Sequence, residues 1–228
     1  MKKDLLIVIP AYNEEGSLKQ VIGSLRQEAG EYDILVVDDG SLDDTGKIAK
    51  ECGVRLVSHG VNLGLWEAVR TGMNYAVSHD YSYVIQFDAD GQHDAFAVSR
   101  MLEAAKTSGD EIVIGSRYPE TVNVLSLRRI GGRIISACIK LTTGVTIKDP
   151  TSGMRLYSRR VAAFFSTSYN YTPEPDTIAY LARKGVHISE MPVEMHKRTS
   201  GSSYLDITES VRYMFHMCTS ILLLPWIR

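Results

Sequence analysis

A chain of 228 residues can bury one substantial core, and its 25 Lys and Arg nearly balance 27 Asp and Glu, for a net charge of −2. That balance excludes a general nucleic-acid binder, which carries an excess of basic charge. The 3 cysteines (Cys52, Cys138 and Cys218) are far apart and odd in number, so they fit neither a disulfide framework nor a zinc cluster and read as reduced thiols of a cytoplasmic protein.

The opening MKKDLLIVIPAYNEE is cut by Pro10 too soon for a signal peptide, and no apolar run reaches the length of a membrane span. Short apolar runs then alternate with helical patterns. Strands are expected at Leu5–Ile9, Ile34–Asp38, Val54–Ser58, Tyr83–Asp88 and Glu111–Gly115, and helices at Glu14–Glu28, Asp43–Cys52, Leu65–Ser78 and Asp94–Thr107. Continuous apolar strands between helices predict an α/β fold, with a central, mostly parallel sheet covered by helices on both faces. Right-handed crossovers put the C-terminal ends of parallel strands on one edge. The second half is less regular. It predicts a basic helix over Leu127–Leu141, a turn in TGVTIKDPTSGMRLYS before a short strand, and a helix over Pro175–Lys184. A strand near His187–Val193, a polar loop Met195–Ser203 and a last helix from Asp206 follow.

The second strand ends in VVDDGSLDDT and the fourth in FDADGQHD. In an open α/β sheet both clusters reach the ligand-binding edge, beside the IPAYNEE loop. Asp38, Asp39, Asp88 and Asp90 gathered there repel one another, and a divalent cation relieves the repulsion. Carboxylates with an amide oxygen suit Mg²⁺ or Mn²⁺, which keep positions open for phosphates, so a nucleotide diphosphate is the expected companion. Asp94 reads as a helix cap, and Asp43 and Asp44 as the start of a helix.

In the order IPAYNEE, VVDDGSLDDT, NLGLWEAVRTG, FDADGQHD, GSRY, DPTSGMRLYS, EPD and EMPVEMHKRTSGSSY, the chain resembles the family 2 glycosyltransferases of GT-A fold. The branch it looks most like is the dolichyl-phosphate mannose synthase group with its bacterial polyprenyl-phosphate sugar transferases. The resemblance implies a GT-A domain over 1–205, with a nucleotide-sugar half 1–116, an acceptor half 117–205 and a C-terminal tail 206–228. It implies that Pro10, Ala11, Tyr12 and Glu14 line the base and ribose pocket, that Asp39 meets the base edge supported by Asp38, and that Asn62 and Gly64 lie near the nucleotide. Asp88 is expected at the ribose or donor sugar, joined by Asp90 and Gln92 around the metal. One departure is Trp66 in NLGLWEA, where the family often has a small residue or Lys. It reads as a helix-packing aromatic.

A polyprenyl phosphate arrives largely ionised, with a second pKa of about 6, and needs cations rather than a base. The resemblance assigns the lipid phosphate to Arg117 of GSRY and to Arg129, Arg133 and Ser136, and closure over the diphosphate to Arg198. Asp88, Asp90, Arg117 and Arg133 form the expected catalytic set, and Arg128 reads as a solvated charge. Asp149, Ser152 and Gly153 of DPTSG are expected at the acceptor side or in a structural turn. His59, His79, His187, His196 and His216 read as surface or packing residues, and His93 as one that can touch the metal shell. The tail carries an apolar stripe of Val211, Met214, Phe215, Cys218, Ile221 and Leu222, interrupted beyond by Pro225. It can pack on the core, form a homo-oligomer seam or lie in a membrane interface.

These readings predict a metal-dependent, inverting glycosyltransferase that moves a hexose from a UDP-sugar, ahead of a GDP-sugar, to undecaprenyl phosphate. The expected setting is the cytoplasmic membrane surface, in cell-surface glycan assembly, with no nucleic-acid partner. One rival is transfer to a hydroxyl of a lipid-linked saccharide, which needs a base from Asp149, Glu174 or Asp176. A nucleotide-sugar-binding regulator and a nucleotidyltransferase are the others. The metal-ligand set argues against the first of these, and the PAYNEE loop in place of a glycine-rich basic one argues against the second.

Overall fold

The computed structural model describes residues 3–117, 127–194 and 207–227. In chain order the elements are β1 (Lys3–Ala11), α1 (Leu18–Ala29), β2 (Asp33–Asp38), α2 (Thr45–Glu51), β3 (Arg55–Ser58), α3 (Leu65–Ser78), β4 (Tyr81–Gln86), α4 (Ala97–Ser108) and β5 (Ile112–Ser116). Then come α5 (Leu127–Thr143), β6 (Arg155–Ser158), α6 (Arg159–Thr167), α7 (Pro175–Arg183), β7 (Ile188–Pro192) and α8 (Ile207–Ile227). The strands form one 7-stranded sheet in the order β3-β2-β1-β4-β6-β5-β7.

Strand alternation divides the core in two. Leu5, Ile7 and Ile9 of β1, with Ile85 of β4 and Val113 of β5, meet α1 and α4 on one face. Leu6, Val8, Val84, Ile112 and Ile114 meet α3, α5, α6, α7 and α8 on the other. The helix α1 shows how the pattern works: Leu18, Val21, Ile22, Leu25 and Ala29 are its buried positions, spaced to form one stripe. Each large apolar side chain so buried contributes about 1.5–3 kcal/mol. Trp66 packs half-buried on the second cluster, as expected.

The strand β6 is what makes the sheet mixed. It pairs antiparallel with both β4 and β5, while β1–β2, β1–β4, β2–β3 and β5–β7 are parallel. Because β6 alone is reversed, the residues before it arrive at the edge where the other strands end. The DPTSG turn therefore joins the acidic loops. The helix α6, which the sequence reading did not foresee, follows β6 at once, its start capped by the Ser158 hydroxyl accepting from the Val161 amide.

The tail differs from expectation in two ways. The helix α8 runs through Pro225 to Ile227, where an interruption was expected. The single apolar stripe is also split. Met217 and Ile221 are buried, with Met214 and Cys218 packed on the second cluster, whereas Val211, Phe215, Leu222 and Leu223 are exposed. Among the described residues no helix is long and apolar enough to cross a membrane. All three cysteines are free.

Candidate active site

Strand order reverses at β1, with β2 and β3 on one side and β4 on the other. The crevice beyond the C-terminal ends of β1 and β4 is where such a sheet binds ligands. Three loops border it: residues 12–17 after β1, 39–44 after β2 and 87–96 after β4.

The first two loops interlock. The Asn13 amide donates to Ser41 Oγ at 3.0 Å, and the Leu42 amide to Asn13 Oδ1 at 2.9 Å. The Glu14 amide donates to Thr45 Oγ1 at 2.8 Å and the Glu15 amide to Asp43 Oδ2 at 3.1 Å. Asp43 therefore starts α2, as expected, and also anchors the neighbouring loop. Pro10 and Ala11 are buried strand residues paired with Val37 and Asp38. Tyr12 is exposed, and Glu14 turns back to accept from Ser17 Oγ at 2.7 Å.

Asp38 and Asp39 are buried and serve the local backbone. Asp38 accepts from the Ser41 amide at 3.0 Å. Asp39 accepts from the Leu63 amide at 3.0 Å, the Gly64 amide at 2.8 Å and His59 Nδ1 at 2.7 Å. His59, expected at the surface or in packing, is a half-buried bridge whose Nε2 meets Thr71 Oγ1 at 2.9 Å. The sequence signal was weak, because its partners stand 20 and 12 positions away. Gly40 makes this junction possible: its φ is +73°, and a Cβ there would lie 2.4 Å from the Val61 carbonyl carbon. Asn62 is exposed on the loop so held.

Asp88 stands at the centre. His93 Nε2 lies 3.0 Å from its Oδ2, and Gln86 Nε2 donates to its Oδ1 at 3.3 Å. Burial by itself would raise the Asp88 carboxyl, but His93, Gln86 and the positive charge of Arg117 reverse the shift and hold it below the usual carboxylate range. His93 is therefore buried against Asp88 and edge-on to Phe87, with its Nδ1 buried and without a hydrogen-bond partner. Asp90 accepts the Gln92 backbone amide at 3.0 Å, and Asp94 accepts the Phe96 amide at 3.0 Å in the turn ahead of α4; the cap position expected of Asp94 is taken by Phe96, with no side-chain cap bond. Among the described residues no three His, Cys, Asp or Glu side chains form a ready-made metal cage. Asp88 and Asp90, with the Gln92 side-chain carbonyl oxygen, still offer the hard oxygen donors that a divalent ion takes, and such a sparse set leaves coordination positions for a diphosphate.

On the far side, Arg117 is clamped by Asp149. Nε donates to Oδ2 at 2.7 Å, Nη2 to Oδ1 at 2.7 Å and the backbone amide to Oδ2 at 3.0 Å. Asp149 is fully buried, so it is closed to substrate. Burial alone would raise its carboxyl, but Arg117 holds it below the usual range. Its own amide and that of Lys148 donate to Glu190 at 2.7 and 2.6 Å. Ser152 Oγ donates to the Gly115 carbonyl at 2.5 Å. Buried Arg155, which sequence reasoning did not single out, donates to the Pro150 carbonyl at 2.7 Å and to the Pro173 carbonyl, tying the DPTSG turn to the start of α7.

Arg133 is exposed on α5. Ser136 donates its one hydroxyl proton to the Ile147 carbonyl, so it braces the turn instead of presenting a donor to an anion. The side chain of Arg129, and all of Arg198, lie outside the described residues. Glu174 accepts from the Tyr213 hydroxyl, and Asp176 accepts from Ser220 Oγ at 2.7 Å, so both carboxylates fasten α7 to α8.

The family model described as glycosyl transferase family 2 matches residues 6–164. Polyprenol monophosphomannose synthase of Mycolicibacterium smegmatis is 30% identical over 92% of this chain and 84% of its own length. Undecaprenyl-phosphate mannosyltransferase of Micrococcus luteus is 32% identical over 87% of this chain and 86% of its own. Among solved structures, glucosyl-3-phosphoglycerate synthase from Mycobacterium tuberculosis, in complex with Mn²⁺, UDP and glucosyl-3-phosphoglycerate, superposes with a TM-score of 0.64 at 20% identity, over 96% of this chain and 80% of that one. The chain belongs to glycosyl transferase family 2 and is a glycosyltransferase of GT-A fold.

Proposed function

We propose that the chain transfers a hexose, with inversion, from a nucleotide-diphosphate sugar, UDP-sugar first, to the phosphate of a polyprenyl lipid. One observation carries the choice of acceptor. Each acidic side chain that a hydroxyl acceptor would need as its base is engaged in structure: Asp149 by Arg117, Glu174 by Tyr213 and Asp176 by Ser220. A phosphate that arrives ionised needs no such base, and the names of the two relatives fit that acceptor.

Asp88 and Asp90, with Gln92, would hold Mg²⁺ or Mn²⁺, and the Mn²⁺ and UDP bound by the structural neighbour support this. When bound, the ion supplies electrostatic stabilisation of the departing diphosphate. The chain's own residues do the rest. The Asp43, Ser41 and Thr45 bonds fix the nucleotide-side loops, and the His93 and Gln86 bonds fix Asp88. The Asp149 clamp aims Arg117 at the acceptor side. The exposed Val211, Phe215, Leu222 and Leu223 of α8 lie on a helix packed against α5, which exposes Ile130, Ile134 and Leu141 and bears Arg133 and Lys140 with no acid. This face suits an anionic membrane surface, where the lipid acceptor resides.

The test is to incubate the purified chain with a panel of labelled UDP- and GDP-sugars and polyprenyl phosphate, with and without EDTA. Lipid-linked product that appears only with metal is the expected result. Full turnover in chelator, or transfer to a lipid-linked saccharide hydroxyl in its place, defeats the proposal.

A further inference from the structure

We propose that His59 is a positioning residue for the nucleotide, acting through Asp39 on the loop of residues 59–64. This rests on the reading above, that the sheet edge binds a nucleotide-diphosphate sugar.

The Asp39 carboxylate only accepts hydrogen bonds, so the His59 nitrogen 2.7 Å from it, Nδ1, carries the proton. Nε2 meets the Thr71 hydroxyl on α3 at 2.9 Å. The result is a chain from Thr71 through His59 to Asp39. Asp39 in turn takes the Leu63 and Gly64 amides, at 3.0 and 2.8 Å. His59 also closes on β2 through its own backbone, its amide donating to the Asp38 carbonyl at 2.9 Å.

One carboxylate thus ties both ends of a six-residue loop, and the imidazole fixes where that carboxylate points. Between the tied ends Val61, Asn62 and Leu63 are exposed at the edge where β2 ends. Gly64 has φ +96° and starts α3, so the position of its amide decides how the loop leaves the sheet. Packing alone does not explain the arrangement. With both nitrogens bonded at 10% side-chain exposure, the ring sets the direction of the Asp39 carboxylate as well as filling space. A metal ligand would need a free nitrogen, and His59 has none. Loss of the Asp39 contact leaves a buried carboxylate short of a donor and lets the loop shift, which weakens ground-state binding of the nucleotide without touching the reacting atoms.

The discriminating variants are His59→Asn, whose amide can replace the Nδ1 donor to Asp39, and His59→Gln, whose amide falls near Nε2 and leaves Asp39 bare. Calorimetric titration with UDP and GDP, beside steady-state turnover of the full chain, reads the effect. His59→Gln is expected to raise the Kd of the nucleotide and the donor KM about tenfold, with kcat within about twofold, while His59→Asn stays within about threefold of the parent. Unchanged Kd in His59→Gln overturns the inference. So does equal weakening in both variants, which would mean packing, or a fall in kcat at constant KM. If His59→Gln does not fold, Thr71→Val decides: Kd weakened about threefold supports the role, and an unchanged Kd overturns it. If the parent chain binds neither nucleotide, the functional reading fails and the inference with it. Nucleotide binding by the parent, untouched in the variants, sinks the inference alone.

Discussion

The Arg117 guanidinium meets the Asp149 carboxylate edge to edge, with Nε 2.7 Å from one oxygen and Nη2 2.7 Å from the other. The pair joins two distant motifs, GSRY at the end of β5 and DPTSG before β6, and the reversed direction of β6 is what lets them meet. A fork-to-fork contact fixes the plane of the guanidinium as well as its position. Asp149→Asn should therefore act on Arg117 twice, removing the charge that stabilises it and freeing its orientation. Arg117 is 19% exposed and keeps some solvation, so the expected loss is about 2–3 kcal/mol, below that of a fully buried pair. Urea unfolding checks the stability. The KM for the lipid acceptor should rise, and Arg117→Lys, which keeps charge but loses the fork, should raise it as well.

The same pair fixes the acid limb of the stability curve. The Asp149 carboxyl titrates below its ordinary range in the fold, so its contribution is fully present above about pH 4 and is lost as pH falls through the folded value. Asp88 and Asp33 are shifted in the same direction. The stability gap between the parent and Asp149→Asn should accordingly be constant from neutral pH down to the usual carboxylate range and shrink below it. Chemical denaturation at a series of pH values reads this directly, and a gap that widened in acid would contradict the clamp.

Gly153 is needed for space rather than for conformation. A Cβ there would lie 2.5 Å from Asp88 Oδ2, and its φ is not in the left-handed region. Gly153→Ala should push the Asp88 carboxylate off its His93 and Gln86 contacts and so lower stability by about 1–3 kcal/mol. If Asp88 serves the site as proposed, displacing it on the ångström scale costs about 100-fold in turnover, and a loss of that size in kcat/KM, measured well below the lowered melting temperature, is the expected result.

Much of this was legible in the chain because the first half obeys simple rules. Runs such as LLIVI and ILVVD, set between helical patterns, read as strands buried on two faces, and the loops that follow parallel strands share an edge. That logic located Asp38, Asp39, Asp88 and Asp90. It could not give the direction of β6, since four residues, RLYS, carry no signature of polarity. Nor could it show that Asp149, 32 positions from Arg117, is its partner and therefore no free base. His59 was passed over for the same reason: its role depends on Asp39 and Thr71 meeting in space. Pattern reports which face a residue takes, and long-range hydrogen bonds decide what it does there.

Glu174 and Asp176 give a test of whether any base is used. Both begin α7, yet both are held by α8, through Tyr213 and Ser220. Burial first, and then Glu174, raise the Tyr213 hydroxyl, as expected for a donor beside a carboxylate. If the carboxylates serve structure, Glu174→Gln and Asp176→Asn should keep kcat within about threefold and lower stability by about 1 kcal/mol each, the size of an ordinary hydrogen bond. A 100-fold or larger fall in kcat for either, with a loss of the alkaline plateau, would mark it as a general base and favour a hydroxyl acceptor.

The outward face of α8 separates membrane docking from self-association. Phe215 is 69% and Leu223 54% exposed, while Met217 and Ile221 on the opposite side carry the packing. Phe215→Glu with Leu223→Glu should therefore leave the fold intact, since neither side chain supports the core. On an anionic vesicle surface each would otherwise bury apolar area at about 25 cal/mol per Å². The double variant should thus lower vesicle co-sedimentation about tenfold or more, and cut turnover of vesicle-borne acceptor in parallel. Turnover with a short-chain, water-soluble acceptor should be unchanged, because the face lies outside the Asp88 and Arg117 centres. Were the face instead a seam between two copies, the same variant would shift the mass in analytical ultracentrifugation and leave vesicle binding as it was.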